Sequence, residues 1–203
     1  MDYLPKVLES RPACELIELG TSVDSFFEII MELVRKIEVF HDKKELIDQC
    51  DSSISTFLNY NYFLLEQQLF HEIVKVFDQD GFGKNENCSL KQIRKRVDSL
   101  TDVLPNTVKE QLIEELDNVL GTYDSLDMKS VRDKILMHHD WETLKKQQPT
   151  YRLFSELKAI AKEGQRVNRL MLKVLGIQFD GVNNHFDDIY EEGLEKIINC
   201  GNL

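Results

Sequence analysis

The sequence predicts an all-α fold, an antiparallel bundle of about six helices forming one domain over residues 1–203. Three observations lead there. Only four prolines and nine glycines interrupt 203 residues. Apolar residues recur at three- and four-residue steps along most of the chain. The strict alternation and Asn-Gly turns that mark hairpins are nearly absent. A composition of 42% apolar and 30% charged residues is that of a chain able to bury a core.

Taken in order, Ser22 is placed to cap a helix carrying Val23, Phe26, Phe27, Ile30, Leu33, Val34, Ile37 and Phe40 on one side. A second long helix holds Ile47, Ile54, Phe57, Leu58, Leu65, Leu69, Ile73, Val76 and Phe77, and stops at Asp78-Gln79-Asp80-Gly81-Phe82-Gly83. That loop is not an EF-hand. Phe82 occupies the fifth ligand position, and Ser89 stands where a bidentate Glu is needed. Ser89 and Gln92 have the spacing of a capping box for the third helix. Pro105-Asn106 open a fourth with Val108, Leu112, Leu116 and Val119 inward. The pattern resumes past Gly121 through Leu126, Val131, Ile135 and Leu136, leaving open whether Gly121 breaks the helix. Pro149 precedes a helix ending near Gly176, and an acidic helix covers roughly 184–199.

No long apolar run predicts a membrane span, and the first residues do not predict export. Cys14, Cys50, Cys88 and Cys200 are too dispersed for a zinc site or a disulfide framework, so a cytoplasmic setting with reduced thiols is expected, with no cofactor or metal. The net charge of −11 argues against nucleic acid as a partner of the whole surface. Residues 151–175 depart from that average: six basic side chains against two acidic ones give a local +4. Residues 176–203, with one base and six acids, carry −5.

The segment Val131-Arg132-Asp133-Lys134-Ile135-Leu136-Met137-His138-His139-Asp140 carries the chemistry. Five residues separate Arg132 from His138, and a polar residue, Asp133, follows the arginine. This resembles the signature of the HEPN superfamily (higher eukaryote and prokaryote nucleotide-binding domains), and within it the abortive-infection branch. The run Phe63–Phe77, the Ser89-Leu90 helix start and the tail from Phe154 through Gly176 to Ile189 also look like that branch. Met137 stands where the branch carries a small residue. No Tyr follows His138, so the variant modified on tyrosine by a partner nucleotidyltransferase is not matched.

The resemblance implies a HEPN-like helical bundle and metal-free RNA cleavage within a toxin–antitoxin or abortive-infection system, with a cognate antitoxin protein as partner. Such cleavage needs a base for the 2′-hydroxyl, an acid for the leaving oxygen and a cation for the phosphorane. Histidine serves either proton role, and the arginine fork suits phosphate. One Arg and one His per chain are too few for all three tasks, and family members solve this by dimerising. A homodimer with Arg132 and His138 of both copies near the two-fold axis is therefore expected. On an ideal helix His139 lies about 20° from Arg132 and His138 about 120° away. The motif favours His138 and the helical face favours His139.

Lys158, Lys162, Arg166, Arg169 and Lys173 fall within an arc of about 80° on an ideal helix, opposite Leu157, Ile160, Val167, Met171 and Val174. Such an arc suits an RNA backbone, an acidic partner such as the Asp187–Glu195 helix of a second subunit, or plain solvent. Two further functional classes compete with the nuclease: a catalytically silent bundle binding a partner protein or nucleotide, and a metal-dependent phosphohydrolase suggested by His41-Asp42, His139-Asp140 and His71.

Overall fold

The computed structural model describes residues 3–78, 87–100, 102–128, 154–179 and 186–201. Among them every regular element is a helix: α1 (Leu4–Glu9), α2 (Arg11–Asp42), α3 (Lys44–Gln49), α4 (Ser52–Asp78), α5 (Leu90–Ser99), α6 (Asn106–Ser125), α7 (Phe154–Val174) and α8 (Phe186–Gly201). The all-α bundle expected from the periodicity is what forms.

α2 is the axis of the bundle. It starts at Arg11 rather than after Ser22. Ser10 is its N-cap, accepting a hydrogen bond from the Ala13 amide at 3.4 Å, and Pro12 occupies the first turn, where a missing N–H costs nothing. Ser22 lies inside the helix and donates its hydroxyl to the Glu18 carbonyl at 3.0 Å, as Thr21 does to Ile17 and Ser25 to Thr21. A mid-helix hydroxyl satisfied four residues back is the competing use of the same side chain. With 32 residues, α2 is about 48 Å long.

The predicted second helix is two. α3 ends at Cys50, whose backbone is extended, and Asp51 starts α4 by accepting from the Ser53 amide (2.9 Å) and hydroxyl (2.6 Å). Those bonds hold the Asp51 carboxyl below its ordinary pKa. Ser89 caps α5 through the Gln92 amide at 3.3 Å. Gly121 does not break α6, which continues to Ser125. Gly176 ends α7 with φ +94°, its amide bonding Lys173 O and that of Ile177 bonding Leu172 O. This pair is a Schellman motif, and the left-handed backbone explains a glycine there.

Side-chain pairs fix the helix directions. His41 meets Tyr62 and Phe27 meets Phe77, so α4 runs antiparallel to α2. Glu38 meets Lys158 and Asp24 meets Arg169, so α7 does the same on another side. The main core draws on α1, α2, α4, α5, α6 and α7, with Phe27, Ile30, Ile37, Leu69, Ile73, Phe77, Ile93, Leu116, Tyr123 and Val167 buried in it. A second, smaller cluster (Phe40, Ile47, Cys50, Leu58, Leu194, Ile198) joins α3 and α8 to the far ends of α2 and α4.

At the centre, the Phe27 and Phe77 rings meet edge to face (centroids 6.1 Å) and Phe77 stacks on Tyr123 at 4.9 Å. Gly164 of α7 lies beneath them: a Cβ there would stand 2.6 Å from Phe77 Cζ and 2.7 Å from Phe27 Cζ. Gly164→Ala is expected to cost about 1–3 kcal/mol by overpacking. Gly121→Ala, where an added methyl meets nothing within 4 Å, should instead gain about 0.5–1 kcal/mol from helix propensity. Urea denaturation midpoints of the two variants, moving in opposite directions, check both.

Candidate nucleic-acid interface

The five cations expected to share one face of a helix all lie on α7, and the structure gives three of them carboxylate partners within the same chain. Lys158 pairs with Glu38 of α2. Arg166 binds Glu163 on its own helix, with Nε 3.1 and 3.0 Å from the two oxygens, and also Glu115 of α6. Arg169 grips Asp24 of α2 through both fork positions, at 2.9 and 3.2 Å, and also reaches Glu28. Gln165 adds a 3.0 Å bond to Glu28. Lys162 and Lys173 are exposed.

The geometry explains why like charges sit together. α7 lies between α2 and α6, each presenting carboxylates along its seam, so the cationic arc is the complement of two acidic edges. The Arg166 guanidinium holds the Glu163 carboxyl below its usual range. Asp24 is 8% exposed, and its hydrogen bonds raise the Arg169 guanidinium above its ordinary pKa against the opposing effect of burial. An RNA backbone laid on this face would exchange its phosphates against Glu28, Glu38 and Glu115, while Lys162 and Lys173 meet it directly. Sequence reasoning missed these acids because Asp24 and Arg169 are 145 positions apart and no local pattern links them. The acidic helix α8 is likewise engaged: Glu195 and Glu191 hold Lys43 at 2.5 and 3.3 Å.

Arg132, Asp133, His138 and His139 lie outside the described residues, as does the His139-Asp140 pair. Beside Phe154, the first described residue after them, is a polar relay that the sequence did not suggest. Tyr62 donates to Glu66 Oε1 at 2.6 Å, and His41 Nε2 stands 2.7 Å from the Tyr62 oxygen. Burial, with the Glu66 carboxylate beside it, pushes the Tyr62 hydroxyl well above its ordinary pKa, so it keeps its proton and directs it at Glu66. His41 Nε2 must then be the donor to Tyr62. The His41 ring also packs edge-on against Phe154, 5.2 Å between centroids. The i, i+4 spacing of Tyr62 and Glu66 was visible in the sequence; the arrival of His41 from α2 was not.

Among the described residues no three His, Cys, Asp or Glu side chains converge as metal ligands, so His41-Asp42 and His71 do not join into one site. No described helix is long and apolar enough to cross a membrane. No protein-family model, curated protein or solved structure matches the chain.

Arg169→Ala would leave the carboxylate of Asp24 buried without its fork, and is expected to cost about 1–3 kcal/mol. Arg169→Lys should recover only part of it, because an ammonium cannot bind both oxygens. Lys162→Ala, at an exposed position, should stay within about 0.5 kcal/mol of wild type. Chemical denaturation of the three variants measures the ranking.

Proposed function

We propose that this chain is a metal-independent ribonuclease of the HEPN type, working as a homodimer in a toxin–antitoxin or abortive-infection system under the control of a cognate antitoxin protein. The observation that carries the reading is Arg132-Asp133 followed at fixed spacing by His138-His139-Asp140, in a chain whose described regular elements are all helices. In that reading Arg132 neutralises charge on the phosphorane, a histidine moves the proton of the attacking 2′-hydroxyl, and a second copy supplies the complementary group. Lys162 and Lys173 guide the RNA backbone, with Lys158, Arg166 and Arg169 contributing as their carboxylate partners yield.

A second reading, a catalytically silent bundle that binds a partner protein, is favoured by the same ion pairs. Cations already held by Asp24, Glu28, Glu38, Glu115 and Glu163 present a weaker field to a polyanion than their number suggests.

Purified protein should cut single-stranded RNA in excess EDTA. His138→Ala should abolish cleavage with the far-UV circular dichroism unchanged, and Arg132→Lys should fail for want of a bidentate fork. A larger loss in His139→Ala would move the proton-transfer role to that residue. Wild-type protein that leaves RNA uncut favours the silent bundle.

RNA affinity should fall steeply with salt. Lys162→Glu combined with Lys173→Glu should weaken binding at least tenfold without lowering stability, a separation that reversing Arg169 cannot provide because it also breaks the contact with α2. Fluorescence anisotropy at two salt concentrations, with a denaturation curve for each protein, makes the comparison.

A further inference from the structure

Residues 52–65, the first half of α4, contain no charged side chain in a protein that is 30% charged. Their outward arc is apolar: Phe57 is 57% exposed, Tyr60 60% and Leu64 44%. These three lie within about 60° of one another around the helix, at the i, i+3, i+7 spacing of a helix-pairing stripe. Beside them a groove of about 470 Å³ runs between α2, α4 and α8, floored by Phe40, Leu58 and Leu194 and edged by Ile197. The charge at its rim is already engaged: the Lys36 ammonium is 2.5 Å from Glu32 and 5.6 Å from the centre of the Tyr190 ring.

We propose that this face of α4 binds the same face of a second copy of the chain, the two α4 helices crossing antiparallel about a two-fold axis between Tyr60 and Asn61. Two arguments select a second copy. Each chain carries a net charge of −11, so most approaches of two copies bring carboxylates together; across residues 52–65 none meet. The stripe is also self-complementary, because the axis that sets Tyr60 against Asn61 sets Phe57 of each copy against Leu64 of the other, as an isologous contact requires.

The size agrees. The exposed parts of Phe57, Tyr60, Leu64 and Ile197 amount to roughly 400 Å² per chain, taking about 200 Å² for a whole large side chain. That is half of the roughly 800 Å² each partner contributes to a standard interface, a fair share for its apolar centre. Tyrosine and phenylalanine at the centre, with charge kept to the rim, is the composition of such interfaces. The proposal is independent of the ribonuclease reading: it rests on the α4 surface alone and is tested without RNA.

Light scattering of the full chain at about 10 µM should show a dimer. Phe57→Lys and Leu64→Glu, each at an exposed position, should each give folded monomers by circular dichroism. An equimolar mixture of the two should recover the dimer, because the introduced ammonium then opposes the introduced carboxylate across one half of the contact while Leu64 and Phe57 meet natively in the other. A monomeric wild type, single variants as dimeric as wild type, or a mixture that stays monomeric would overturn the proposal. Dimerisation through this face with no RNA cleavage would leave it standing and remove only the nuclease reading.

Discussion

The structure depends on how closely α7 can lie in the groove of α2. Two glycines permit it. Gly20 of α2 faces Met171 and Leu172, where a Cβ would stand 2.6 Å from the methionine methyl, and Gly164 of α7 faces the Phe27 and Phe77 rings. Between them Asn168, fully buried, donates to the Gly20 carbonyl at 3.0 Å. Such a bond fixes the axial position of one helix against the other, because a slip of one residue would strand a buried amide at a cost of about 1–3 kcal/mol. The aromatic stack through Phe77 and Tyr123 then carries that register to α4 and α6.

The same seam accounts for the charge pattern. Carboxylates outnumber cations in this chain, yet six of its 25 Lys and Arg are concentrated in residues 151–175, where they outnumber the acids. Lys158, Arg166 and Arg169 fasten α7 to its neighbours. Exposed pairs of this kind contribute little individually. The Arg169–Asp24 pair differs, being bidentate and partly desolvated, and it reinforces the register set by Asn168. A surface that resembles a polyanion site in sequence is thus also a structural joint, and any ligand it takes must compete with the protein's own acids.

The helical class was legible because buried positions on each long helix repeat at the helical period, and the Ser89 cap and the Gly176 stop were legible because each uses local chemistry. The start of α2 is ambiguous in sequence for a physical reason: Ser10 and Ser22 are both hydroxyls ahead of an apolar run, and only tertiary packing of Ala13 and Leu16 extends the helix back to the first. The break between α3 and α4 was hidden because Ile47 and Leu58 face one small cluster from both sides of it. The ion pairs of α7 and the approach of His41 to Tyr62 are long-range events with no local signature. The Arg132–Asp140 motif was legible as a pattern, and its geometry lies beyond the described residues.

The smaller hydrophobic cluster has a consequence for how the molecule comes apart. α8 is held by Leu194 and Ile198 against Phe40, Ile47 and Leu58, and by the exposed grip of Glu191 and Glu195 on Lys43, whereas among the described residues the main core draws on none of its side chains. Elements resting on few buried contacts open sub-globally, at a free energy below that of the whole fold. α8 and α3 therefore form a cooperative unit of their own that exchanges its amides before the glycine-seamed centre does. Because Ile197 also edges the α4 groove, anything seated there would tighten this unit by mass action, making the chain's resistance to proteases depend on its concentration.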